Sequence, residues 1–354
     1  MSYHVVRDPD EVREVLRRTD DFVPTNALTS VVPLSPATLR VLSRARFALP
    51  PVLASATGDR HRQVRRAVAA FFTPAKVAAV GPRLSALTLQ RCQVAAAALD
   101  SGPVDLADTI GRYIPPAIMD ELTGIASPEL GLLKRWSRDS LELFWGWPDD
   151  QRQLVLAESA TEFYSWLRDE VTGSRGDDTL FGTLHAAGLG TTEICSLGYF
   201  LVIAGQETTS QLINIAFYRA LQDRAVWRDL SQGVSAAPFV RRVLASESSV
   251  HTWRREVAHS TQLNGANLPA GAEILLELSG NHPPDPSSTA YSLAFGHGLH
   301  RCLGAKLAEL EAITVLEQTA RVFPSLTLVG PDPTWLRLLS FQTPLTVTAV
   351  LARP

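Results

Sequence analysis

Cysteine is scarce in this 354-residue chain: Cys92, Cys195 and Cys302 are the only three. Odd in number and far apart, they imply no disulfide framework, and no C-x-x-C pair or His/Cys spacing suggests zinc. Lysine is equally rare, at Lys76, Lys134 and Lys306, so the basic residues are nearly all arginine. A formal net charge of -3 with no Lys/Arg cluster argues against nucleic acid as a partner. No apolar run reaches membrane-spanning length, and the opening MSYHVVRDPDEV has no apolar signal core. The expected location is therefore cytoplasmic, with no membrane partner. Repeats, low-complexity runs and linkers are missing too. At 45% hydrophobic residues the chain can bury a large core, and 1–354 reads as a single domain.

Helical periodicity dominates what is present. It predicts helices over 9–22, 61–72, 75–100, 115–125, 129–147, 149–174 and 192–222, with Thr73-Pro74 stopping the second. Strand signals are few and late. Residues 261–278 read as a hairpin about Asn264-Gly265 followed by a strand, and 336–352 alternate like a terminal hairpin. The fold class is mostly α with small peripheral sheets.

Two stretches break the pattern. AFGHGLHRCLG, residues 294–304, sets Cys302 among glycines, directly before an amphipathic helix marked by Leu303, Leu307, Leu310 and Leu316. A cysteine at a helix N-terminus meets free N–H groups and the positive end of the macrodipole, which favour a thiolate. The second stretch, 192–222, is apolar nearly all round, as suits a helix through the middle of a domain, and would span roughly 45 Å. Its centre reads AGQETT. There Gly205 costs about 1 kcal/mol relative to alanine, and Glu207 and Thr208 need polar partners. One reading is that Gly205 relieves a helix crossing while Glu207 faces a wet crevice; the other is that the pair carries chemistry.

FGHGLHRCLG resembles the haem-binding signature of cytochromes P450 at every fixed position: Phe295, Gly296, Gly298, His300, Cys302 and Gly304. AGQETT is similar to that family's central-helix pattern, HRQVRRAVAAFFTP to its propionate-binding helix, and LPAGAEILLEL to the strand before the haem loop. The resemblance covers nearly the whole chain, in order. It implies a P450-like fold with a long central helix and one haem b whose iron is ligated by Cys302. Ala204 and Gly205 would lie over the haem, and Glu207 and Thr208 would deliver protons during oxygen activation. His61, Arg65, Arg255 and His300 would neutralise the propionates. Adjacent Arg254 and Arg255 should point to opposite faces of a strand, so only one should reach the haem, and Arg255 has the right spacing after Val250. Gly296, Gly298 and Gly304 would bring backbone amides close to the sulfur.

Three departures stand beside the resemblance. The chain starts later than the family's usual first helix and strand. The E-x-x-R motif is gone, with Arg242 where Glu belongs and Ala245 where Arg belongs, so that Arg242 should turn to solvent. The stretch GNHPPDPSSTAYSLAFG is short and lacks the family's third charged partner. Losing all members together avoids stranding one buried charge.

The implied activity is that of an oxygen-activating monooxygenase tailoring a hydrophobic natural-product intermediate. NAD(P)H electrons would arrive indirectly through ferredoxin and ferredoxin reductase, and the substrate would be free or carrier-protein-bound. The alternatives are an enzyme using peroxide or catalysing a non-oxidative rearrangement, and a P450-like auxiliary scaffold. Against the scaffold stand the intact cysteine loop and acid–alcohol pair, for which it has no need. The substrate pocket should draw on 30–58, 141–150, 201–205, 250–253 and 341–343, with Trp145 and Trp147 read as packing between helices.

Overall fold

The computed structural model describes residues 3–280 and 289–352. Its spine is the helix Thr191–Gln222, whose two halves sit in different apolar cores. Ile194, Leu197, Tyr199 and Ile203 pack with the helices Leu130–Trp145 and Asp150–Gly173. Leu212, Ile215, Phe217 and Leu221 pack with Gly81–Leu99, Ile114–Thr123 and Ala305–Val322. Between the halves lies AGQETT, where neither core closes around the helix. The sequence's apolar run is thus interrupted where the packing is.

A third core of Val12, Val15, Leu16, Phe22, Ile274 and Leu276 underlies a four-stranded sheet. Its strand order is His4–Val6, Glu273–Glu277, Thr252–Val257, Phe22–Val23; the first pair is parallel and the others antiparallel. The hairpin Thr261–Leu263/Ala266–Leu268 turns at Asn264 (φ 45°) and Gly265 (φ 79°), the left-handed pair that a two-residue hairpin turn requires.

Several boundaries differ from the periodicity. Residues 75–100 form two helices, Pro74–Ala79 and Gly81–Leu99. Pro82 lacks the N–H that would continue the first, and instead starts the second. Thr73-Pro74 opens a helix as well as ending one, the Thr73 hydroxyl accepting from the Lys76 N–H at 3.3 Å. The helix expected over 61–72 begins and ends earlier, at Gly58–Ala69. The first helix stops at Arg17 because Phe22–Val23 joins the sheet edge. Helices Pro36–Arg44, Leu180–Ala186 and Arg224–Ser231 are too short for period alone to reveal. At the C-terminus Trp335–Arg337 and Gln342–Pro344 form the hairpin, while Thr348–Leu351 leaves to pair with Val104–Asp105 and Leu326–Leu328.

On the helix Ala237–Glu247, Arg242 does not turn freely to solvent. It is half-buried, its guanidinium 5.5 Å from the ring centre of Phe239. Ala245 is 5% exposed, and its carbonyl accepts the Gly280 N–H at 2.9 Å. The backbone of the turn after Glu273–Glu277 therefore stands close to Ala245. Residues 281–288 of the shortened stretch lie outside the described residues. Restoring the charged pair with Arg242→Glu and Ala245→Arg should cost roughly 1–3 kcal/mol through overpacking, with added charge burial making it worse. Denaturant unfolding reads this directly, and a gain in stability would contradict the packing described.

Candidate active site

The gap between the two halves of the central helix opens on a cavity of about 310 Å³. Ala204, Gly205 and Thr208 line one side, and Phe295, Gly296, Cys302 and Gly304 the opposite side. The loop is built by its own backbone. Gly296 (φ 67°) and Gly298 (φ 64°) take left-handed turns. The Cys302 N–H donates to the Phe295 carbonyl at 2.8 Å, and the Gly296 N–H to that of Leu293 at 2.8 Å. The three glycines do not share one role. A Cβ on Gly298 would lie 3.2 Å from the Leu16 carbonyl oxygen, so this glycine seats the loop on the first helix. Gly304 has an ordinary φ of -84°, and it serves the sulfur through its amide, which hydrogen-bonds Cys302.

Cys302 is exposed within the cavity. Hydrogen bonds from the Gly304 and Ala305 amides, and the charges of Arg65 and Arg301, favour its thiolate. Desolvation in the cleft outweighs them and pushes the thiol's pKa up. Burial in the cleft thus opposes the thiolate that the helix terminus favours.

One edge of the cavity is cationic. His61 and Arg65 lie one turn apart on Gly58–Ala69. Arg255 is 1% exposed, donates to the Arg254 carbonyl at 2.8 Å, and lies 3.5 Å from His300 Nδ1. His300 Nε2 lies 2.8 Å from the Ala56 carbonyl, and its ring meets His61 edge-on with centres 5.0 Å apart. Burial pushes His300 down to about 4 and Arg255 down to about 10. The Arg255 Nε and both ring nitrogens of His61 are buried without partners. Arg65 donates to the Arg301 carbonyl at 2.5 Å. Among the described residues no carboxylate pairs with Arg65 or Arg255. Arg254 faces away, donating to the Thr29 carbonyl. Two guanidinium groups and two imidazoles converging without an acid suit a dianion. With a thiol across the same cavity, they fit a haem bearing two propionates.

Glu207 and Thr208 part company on the central helix. The Thr208 hydroxyl faces the cavity and donates to the Ala204 carbonyl at 2.7 Å. Gly205 is abutted by Met119, whose thioether sulfur would lie 2.8 Å from an added Cβ, so it does relieve a helix crossing. Glu207 turns to a second, polar cavity of about 280 Å³, where its carboxylate accepts from Lys134 at 3.0 Å. Lys134 is 6% exposed and also donates to Gln206 and to Ser210 at 3.0 Å. Burial lowers its pKa even against the pull of Glu207. Both amide atoms of Gln211, on the same wall, lack partners, as befits a cavity that holds water.

The remaining wall is apolar: Val52, Leu197, Phe200, Val250, Trp253 and Phe341 line it. Residues 141–150 are not among the lining residues. Trp145 backs the wall instead, its ring 4.9 Å from Phe341 and stacked on Trp253 at 6.1 Å. Trp147 is 60% exposed and does not pack between helices.

Sequence reasoning missed Lys134 and Glu311. Lys134 is one of three lysines, but it stands in GLLKRWSRD beside Arg135 and Arg138, and nothing local marks it as buried. Glu311 interrupts the i, i+4 line Leu307–Glu311–Val315, which is the signal that was there to find. It is 0% exposed, both its oxygens are unpaired, and burial pushes it up to about 8.

No family model matches the chain. It is 30% identical over 311 residues to the cytochrome P450 monooxygenase PikC of Streptomyces venezuelae, covering 81% of this chain and 72% of that protein. To the erythromycin C-12 hydroxylase of Saccharopolyspora erythraea it is 27% identical over 358 residues, covering 93% and 84%. Among solved structures, cytochrome P450 CREJ in complex with (4-ethylphenyl) dihydrogen phosphate superimposes with a TM-score of 0.93 at 26% identity, covering 99% of this chain and 92% of that one.

Glu311 makes stability depend on pH. Its folded pKa lies above its unfolded one, so its stabilising share is complete below about pH 4.5 and is lost as pH rises toward 8. Glu311→Gln should therefore gain on the wild type by more than about 1 kcal/mol between roughly pH 5 and pH 8. Unfolding curves at the two pH values give the comparison; parallel behaviour would mean that the carboxyl finds a partner.

Proposed function

The chain belongs to the cytochrome P450 family, and from that premise we propose a haem-thiolate monooxygenase that hydroxylates a hydrophobic natural-product intermediate. The observation that carries this reading is the placement of Cys302, the acid-free cationic edge and an apolar wall around one cavity. Cys302 would hold the iron of a haem bound there, which would supply oxygen activation with NAD(P)H electrons relayed by ferredoxin and its reductase. His61, Arg65, Arg255 and His300 would hold the propionates, Ala204 and Gly205 would leave room above the ring, and Phe295 would fix the Cys302 amide.

The residues of the central helix divide the proton work. Glu207 sits on the wet side, held by Lys134 and in reach of water admitted by the polar cavity. Thr208 presents its hydroxyl on the dry side, where the substrate binds. Neighbours on one helical turn thus join a proton source to a proton donor that faces the reaction, while the apolar wall excludes bulk water. Phe200, Trp253 and Phe341 would grip the substrate's apolar body, and their surroundings offer it few fixed hydrogen-bond partners.

Thr208→Ala should lower the product formed per electron consumed, and Glu207→Gln should slow turnover roughly 10²-fold. Product and electron consumption measured together, with and without oxygen, read both effects. Product formed at the wild-type rate without oxygen or peroxide would overturn the monooxygenase and favour a haem-dependent rearrangement.

A further inference from the structure

Arg241, on the helix Ala237–Glu247, is a half-buried cation with no carboxylate partner among the described residues. Its Nε is shut off from solvent without a hydrogen bond. Its guanidinium carbon lies 5.2 Å from the ring centre of Tyr291. A half-buried guanidinium lacking an acid is stabilised by an aromatic face, which attracts the cation through its ring quadrupole.

Tyr291 belongs to the short 3-10 run Thr289–Phe295. Leu293, 0% exposed, anchors this run in the core beneath the four-stranded sheet, and Phe295 packs on the core around the central helix. The run ends at the two carbonyls that organise the cysteine loop: Leu293 accepts from Gly296 and Phe295 from Cys302, each at 2.8 Å. The position of Tyr291 is therefore passed to the Cys302 backbone within one continuous hydrogen-bonded segment. The other candidates on the helix do not make this link. Arg242 lies over Phe239 of its own helix, and Ala245 has no side chain to reach across.

We propose that Arg241 is a positioning residue for Cys302, acting through its stack on Tyr291. The proposal rests on the haem-thiolate reading above. It gives the site a tether made of one cation and one ring, with no carboxylate.

Arg241→Met keeps the side chain's bulk and removes the cation. In the haem-loaded protein it should speed haem transfer to an apo-globin acceptor about tenfold. It should also raise the share of the reduced carbon monoxide complex that shows a neutral-thiol rather than a thiolate Soret band. Tyr291→Leu should match it, while Tyr291→Phe, which keeps the ring face, should match the wild type. Hydrogen exchange at the Cys302 amide, measured on the protein as purified, should quicken about tenfold in Arg241→Met and Tyr291→Leu. Wild-type exchange and haem transfer in Arg241→Met would overturn the tether. If Arg241→Met does not fold, the contrast between Tyr291→Phe and Tyr291→Leu decides, and equal behaviour of that pair overturns the proposal. A wild type that takes up no haem defeats the haem reading, and the exchange rates then still decide the tether.

Discussion

The arrangement of this molecule follows from one electrostatic constraint: Arg255 is buried with no carboxylate among the described residues to balance it. Desolvation alone drives its pKa down to about 10, a direct sign that the protein's own groups do not compensate the charge. His61 and His300 stand beside it, neutral by burial, and Arg65 adds a second cation. Such an edge favours an external anion. The same cavity is lined by Cys302, whose thiol pKa burial pushes up. The two ends of the cavity suit one ligand that is anionic at its rim and cationic at its centre.

The central helix turns this static arrangement into a reactive one. Its halves are fixed in separate cores, which leaves the middle turn open on two sides while Met119 packs against Gly205. The side facing Cys302 carries Thr208 and little other polarity. The reverse side carries Glu207, Lys134 and Gln211 around a polar cavity. An acid buried in an apolar helix is tolerable because Lys134 meets it at 3.0 Å, and a buried lysine is tolerable because Glu207, Gln206 and Ser210 accept from it. Removing either partner would strand the other's charge. The pair thus keeps an ionisable group one residue away from the dry cavity without flooding that cavity with water.

Much of this was legible in the sequence, for reasons that differ by residue. The long helix and the cysteine loop were readable because a 3.6-residue apolar period and a fixed run of glycines are local patterns. Asn264-Gly265 declared its turn through backbone geometry alone. Arg255 was separable from Arg254 because neighbours on a strand face opposite ways. Lys134 was not readable: its burial depends on Glu207, 73 positions away. Glu311 left a trace on its helix face, but an acid on an apolar stripe does not say what surrounds it. The break at Val80-Gly81 was visible as Pro82, yet the run of helix formers on either side concealed it. Gly298 was read as serving the sulfur, whereas its neighbour is the Leu16 carbonyl of a helix far away in sequence. Apart from that local break at Val80-Gly81, what was missed is a contact between distant segments.

The central claim is that one haem unites the thiol and the cationic edge. Titration of purified protein with haemin, followed by reduction under carbon monoxide, tests it in wild type and in Cys302→Ala. The account predicts saturable uptake of one haem per chain, with a thiolate-type Soret band in the wild type that Cys302→Ala lacks. No saturable uptake by the wild type, or the same band in both proteins, would contradict it.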